Sequence, residues 1–200
     1  MFDYLKDIKH LFYNLGMDKR LAKTRESLYE AFRLCLLEKD YESISVSDIL
    51  SKSGVSRSTF YAHFSSKEDV LKGVLGEIFD HVFSPTHEKE KDHDFSMSPS
   101  FDYSRMITHV FYHFYDEREL IKAILLSKAS SIFVESLKEH SLPLISACVK
   151  SHTYFKEDIP LDMQIHQLTE SFVSLIRFWV ESGCLLSPEE LTEYFNKLYA

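Results

Sequence analysis

Apolar residues recur every three or four positions along almost the whole chain, which predicts a succession of helices. Leu21, Leu28, Phe32 and Cys35 make one stripe, with Ala31 and Leu36 beside it. Val46, Ile49 and Leu50 mark a short second helix, and Phe60 and Phe64, four apart, a third. Val70, Val74, Ile78 and Val82 line one side of a fourth helix and Leu71, Leu75 and Phe79 another, so it must pack on two sides. A polar, charged stretch over 84–100 follows, bounded by Pro85 and Pro99 and expected to be a linker. Four or five helices complete the chain. One starts near Phe101, a short one lies in RELIKAILLS, and a longer one, through SSIFVESLKEH, is expected to break near Pro143. The last two occupy Pro160–Gly183 and the residues after Ser187. The fold class this predicts is all-α.

End signals sharpen these elements. Ser45 with Asp48 has the spacing of a capping box, as has Ser65 with Glu68. Gly54 and Gly183 suit the left-handed residue that closes a helix. Ser56 can cap the third helix, and Ser187-Pro188-Glu189-Glu190 opens the last with a cap, a first-turn proline and an N3 glutamate.

The stretch from Ile44, ISVSDILSKSGVSRSTFYAHF, therefore reads as two short helices joined by a tight turn. With Phe60 and Phe64 turned to the core, Arg57, Ser58, Thr59, Tyr61 and His63 are left outside. Arginine can fork onto guanine, serine and threonine reach bases or phosphates, and tyrosine and histidine reach phosphate oxygens. Lys19, Arg20, Lys23 and Arg25 open the first helix with positive charge, which opposes the helix dipole and suits a nearby phosphate. Lys67, in the first turn of the fourth helix, is placed to clamp another.

These residues resemble the DNA-binding domain of the TetR (tetracycline-repressor-like) regulators over roughly residues 20–82. The Gly54-Val55-Ser56 turn, Thr59-Phe60-Tyr61 and Phe64 followed by Lys67 carry the resemblance. It implies recognition-helix roles for Ser56, Arg57, Ser58, Thr59, Tyr61 and His63, backbone contacts from Ser45 and Ser47, and a phosphate contact from Lys67. The ending SFVSLIRFWVESG…SPEELTEYF is similar to regulatory domains of such proteins from low-GC Gram-positive bacteria. The implied organisation is an extension over 1–18, a helix-turn-helix domain with its connecting helix over 19–83, a linker over 84–100, and a regulatory and dimerisation domain over 101–200. The extension departs from the family pattern, and its Leu5, Ile8, Leu11 and Phe12 have helical spacing.

Composition narrows the partners. The net charge of −8 excludes a generally basic nucleic-acid binder. The imbalance is uneven: residues 19–72 hold ten Lys/Arg against eight Asp/Glu, and residues 84–200 eleven against eighteen. DNA contact is thus expected at one end only. Cys35, Cys148 and Cys184 lack disulfide or zinc spacing and read as reduced core thiols. With no signal peptide or long apolar span, a cytoplasmic protein without membrane contact is expected. No nucleophile motif or phosphate-binding glycine loop argues for an enzyme, and no cofactor or resident metal is expected.

The expected function is that of a transcriptional repressor, a homodimer on a palindromic double-stranded DNA operator. The alternatives are an activator or metal-sensing regulator of the same fold, and a helical interaction module without DNA binding. Phe172, Leu175, Ile176, Trp179, Leu191 and Phe195 form the stripes assigned to the dimer interface. The aromatic density of the second half suggests an apolar or aromatic small-molecule effector, held near Tyr103, His109, Phe111, His113, Phe172 and Trp179. His109 and His113, four apart on one helix, also have metal-ligand spacing.

Overall fold

The computed structural model describes residues 19–83, 103–151 and 153–199, and every regular element among them is helical. The 1–18 extension and the whole of the 84–102 stretch, which includes the expected linker, lie outside the described residues. The helices are α1 (Lys19–Glu38), α2 (Val46–Ser53), α3 (Arg57–His63), α4 (Lys67–Val82), α5 (Tyr103–Asp116), α6 (Arg118–Leu125), α7 (Ser130–Lys150), α8 (Leu161–Glu181) and α9 (Pro188–Tyr199). A single 3-10 turn, Tyr41–Ser43, joins α1 to α2.

The N-terminal domain is built on α1, which packs against α2 and α4. Leu28, Phe32 and Cys35 of its stripe are buried, whereas Leu21 stays exposed. The two stripes of α4 are both buried, as its pattern requires. One side meets α1, and the other meets α5 and α7 of the C-terminal domain. The two domains thus share one apolar cluster. In the C-terminal domain α7 runs along α8 and α5 along α9, with α6 wedged against α1, α7 and α8.

The short helices are set by their ends. The Ser45 hydroxyl accepts the Asp48 N–H at 3.2 Å while the Asp48 carboxylate accepts the Ser45 N–H at 2.7 Å, completing the expected box. Gly54 closes α2 with φ of 68°. Its missing Cβ would meet nothing within 4 Å, so glycine serves the backbone conformation there and not a close approach. Ser56 caps α3 by accepting the Thr59 N–H at 3.2 Å. Ser187 and Glu190 cap α9 reciprocally, at 2.9 and 3.2 Å.

Two expectations need correction. The cap of α4 is Ser66, not Ser65: the Ser66 hydroxyl takes the Asp69 N–H, and the Asp69 carboxylate takes the Ser65 N–H. Glu68 is drawn away to the Tyr41 hydroxyl. Nor does Pro143 interrupt α7, which is continuous from Ser130 to Lys150. Proline withholds one N–H from the helix ladder, at a cost of about 3 kcal/mol or more. Pro143 faces solvent, where water can reach the freed carbonyl, while Leu137, Ser141, Leu144 and Ile145 around it are buried and hold the helix together.

Candidate nucleic-acid interface

Capping fixes where α2 and α3 begin, and burial of Ile49 and Phe60 fixes their rotation. Ser45, Ser47, Ser56, Arg57, Ser58 and Tyr61 are consequently exposed, and Thr59 and His63 half-buried. The Arg57 guanidinium donates to the Ser47 hydroxyl at 3.0 Å and so joins the starts of α2 and α3 on one face. The Ser56 hydroxyl lies 3.0 Å from that of Ser58 and 2.8 Å from that of Thr59. Tyr61 stands 52 % exposed with its ring edge-on to Phe60, a rigid base with a free tip. The result is a compact polar surface of mixed reach around two helix N-termini, whose partial positive charge favours phosphate.

Lys23 is exposed on α1, and Lys19 and Arg20 occupy its first turn. Arg25 lies 5.7 Å over the ring of Phe64, the residue that closes α3. Lys67 behaves differently from the others. Its ammonium donates to the Tyr41 and Ile44 carbonyls at 2.7 and 2.9 Å and sits 4.3 Å over the Tyr41 ring. Two residues that sequence reasoning passed over, Tyr41 and Glu42, organise this corner. The Tyr41 hydroxyl donates to Glu68 at 2.9 Å, and burial together with that carboxylate pushes the phenol well above its ordinary value. Asp48 is held well below the usual carboxylate range by Lys39, 2.7 Å away, and by Ser45.

In the C-terminal domain the aromatic residues assigned to an effector pocket are packed on one another. Phe111 stacks on Phe172 at 5.7 Å and meets Trp179 at 5.8 Å, and all three are buried. These three rings are part of the apolar core. Tyr103 is half-buried at the start of α5. His109 and His113 are buried with their Nε2 atoms 2.9 Å apart, and His81 of α4 lies edge-on to His113 at 4.6 Å. Among the described residues no group of three or more side chains is arranged to hold a metal. An open groove of about 490 Å³ lies instead between α7 and α8, floored by Leu142 and Ile165 and flanked by Glu135, Lys138, Glu139 and His166.

The stripe assigned to the dimer interface lies mostly inside the chain. Phe172, Ile176, Trp179, Leu191 and Phe195 are buried within the monomer, and Leu175 is half-buried. They face α5, α6 and α7, because those helices need the same apolar face. The outer faces of α8 and α9 expose other large apolar side chains, Phe178 at 66 % and Leu198 at 67 % foremost, with Met163 and Tyr194. All three cysteines are free and buried. No described helix is long and apolar enough to cross a membrane.

Comparison with known proteins agrees with this geometry. Residues 28–74 match the family model described as bacterial regulatory proteins, tetR family, and residues 102–200 match a transcriptional regulator C-terminal region. The chain belongs to the TetR family. It is similar to an uncharacterised HTH-type transcriptional regulator of Bacillus subtilis, YxbF, with 29 % identity over 193 residues, covering 90 % of this chain and 45 % of that protein. YwcC of the same organism is 26 % identical over 81 % of this chain and 60 % of its own length. The chain thus spans about half the length of these curated relatives. A TetR transcriptional regulator from Streptococcus agalactiae superposes with a TM-score of 0.70 and 26 % identity, covering 93 % of this chain and 98 % of that one.

Proposed function

We propose that this protein is a sequence-specific DNA-binding transcriptional regulator, a repressor that acts as a homodimer and is released by a small molecule. The observation that carries the reading is the exposed face formed by Ser45, Ser47, Arg57, Ser58 and Tyr61 around the starts of α2 and α3. In a dimer two such faces enter successive major grooves about 34–36 Å apart, so the operator is palindromic. The second copy covers the apolar outer faces of α8 and α9 around Phe178 and Leu198. The effector is an apolar or aromatic molecule held by the C-terminal domain, a reading that rests on the aromatic density of the second half. Such a ligand acts only by preferring one dimer geometry.

Selection of bound duplexes from random-sequence DNA, followed by a gel-shift titration on the enriched duplex, tests the reading. An inverted repeat should emerge. Tyr61→Ala and Arg57→Ala should each weaken binding to it, Arg57→Ala relaxing the preference at one base position. A chain that retains no duplex even at low salt overturns the proposal in favour of a helical interaction module.

A further inference from the structure

The 3-10 turn between α1 and α2 is held from two opposite sides. On one side the Tyr41 and Ile44 carbonyls accept the Lys67 ammonium at 2.7 and 2.9 Å, and the Tyr41 hydroxyl donates to Glu68. These bonds fix the turn to the first turn of α4. On the other side Glu42, between Tyr41 and Ile44, points to the C-terminal domain. Its Oε1 accepts the Lys128 backbone N–H at 2.6 Å, in the turn between α6 and α7. Chain direction supplies the remaining link. Ile44 is followed at once by Ser45, the cap of α2, which with Ser47 opens the candidate DNA face.

Glu42 is solvent-exposed, but a carboxylate bonded to a backbone N–H is a short, directional contact that orders only one side chain. A second tie runs in parallel. Arg33 of α1 reaches both carboxylate oxygens of Glu117, just before α6, at 3.3 Å. The segment carrying α6 is therefore tied to the N-terminal domain before its start and again after its end. A shift of the 126–129 turn relative to α1 must either break the Glu42 bond or drag the Tyr41–Ile44 turn with it.

We propose that the Tyr41–Ile44 turn is a relay, in which Glu42 and Lys67 are positioning residues that let the C-terminal domain set the place of Ser45 and the start of α2. Its consequence for DNA rests on the regulator reading above; the mechanical coupling does not. Lys67 serves here by ordering two carbonyls, and Glu42 by holding one N–H of the other domain.

The test is amide hydrogen exchange of the full chain, read by NMR without DNA. Glu42→Ala should raise exchange at Lys128, and also at Asp48 and Ile49, whose N–H groups bond to Ser45, by about two- to fivefold, the scale of losing one solvent-exposed charged contact. Lys67→Met, which keeps the apolar stem, should raise exchange at Lys128 from across the turn. Glu38→Ala, which breaks the separate Lys52–Glu38 pair, should leave Lys128 unchanged. If Glu42→Ala frees only Lys128, or Lys67→Met leaves Lys128 protected, the relay is overturned and Glu42 is a local cap. On the enriched duplex, Glu42→Ala should lower affinity several-fold with an unchanged salt slope, since no phosphate contact is lost. Wild-type affinity in that variant overturns the relay. A wild-type chain that binds no duplex removes the regulator reading alone, and the exchange experiment still decides the coupling.

Discussion

The ring of Tyr29 lies directly across Gly73: a Cβ built on Gly73 would stand 2.1 Å from the Tyr29 hydroxyl oxygen and 2.5 Å from Cζ. This is where α1 and α4 approach most closely at a glycine, and the ring has little room to retreat. Tyr29 is buried, with Phe64 at 5.7 Å on its flank. Gly73→Ala should therefore destabilise the protein. Overpacking of this kind costs about 1–3 kcal/mol, against about 1 kcal/mol that alanine gains over glycine within a helix. Urea denaturation should show a lower midpoint at constant slope. The double change Gly73→Ala with Tyr29→Leu should recover part of the loss, and strict additivity of the two changes would disprove the contact.

What the sequence made legible divides along chain distance. The caps at Ser45, Ser56 and Ser187 were readable because each bond spans three residues. The two-sided burial of α4 followed from its two stripes. Sequence spacing does not single out the cap of α4, because Ser65 and Ser66 are adjacent and each has an acid three residues on. The Tyr41 hydroxyl, far upstream, engages Glu68, and Asp69 is the acid that accepts the Ser65 N–H. Lys67 could be placed at a helix start, but its carbonyl partners lie 26 and 23 residues away. In α8 periodicity gives apolar stripes without saying which one meets the rest of the chain. Phe172 and Ile176 went to the core and Phe178 to the surface, because α5, α6 and α7 occupy one side. Aromatic density likewise does not distinguish a pocket from the stacked rings of Phe111 and Phe172.

Acid should loosen the Ser45 corner and the contact between domains first. Lys39 and Ser45 hold Asp48 well below its ordinary 3.8, and the Lys128 N–H holds Glu42 below 4.5. The Tyr112 hydroxyl does the same for Glu189, which links α5 to α9. A carboxylate whose folded value is depressed contributes stability above its unfolded value and loses it as pH falls through the folded one. Thermal midpoints should therefore be flat above about pH 5 and fall progressively from there toward about pH 2. Asp48→Asn should lower the neutral plateau and make the acid decline shallower. Carbon-detected NMR titration of the side-chain carboxyls checks the assignment; an Asp48 midpoint at or above 3.8 would contradict it.

The occupied ammonium of Lys67 separates two roles in DNA binding. A lysine that meets phosphate releases a counterion, so its removal flattens the dependence of log affinity on log salt by about one. Lys67 is already bonded to two carbonyls, so Lys67→Met should weaken binding with the slope nearly unchanged. Lys23, exposed on α1, is expected to behave oppositely: Lys23→Met should reduce the slope. Affinity measured at several salt concentrations on the enriched duplex distinguishes them. A slope reduced by a full unit in Lys67→Met would restore it as a direct phosphate contact.

The oligomer should respond to Phe178 and not merely to any apolar residue of α8. Phe178 is 66 % exposed in the isolated chain, and burying such a side chain against a second copy contributes about 1.5–3 kcal/mol. Replacing it with glutamate removes that gain and strands a charge in the interface, which costs several kcal/mol more. The isolated fold loses nothing by the change, because the side chain points away from the core. Phe178→Glu should therefore give a folded monomer, with wild-type helical circular dichroism and half the wild-type mass by light scattering. Phe172→Glu places the same charge among Phe111, Ile176 and Phe195 and should instead leave an unfolded or aggregated chain. A dimer that survives Phe178→Glu would move the interface to another face. A wild-type chain already monomeric at micromolar concentration would remove the dimer from the account altogether.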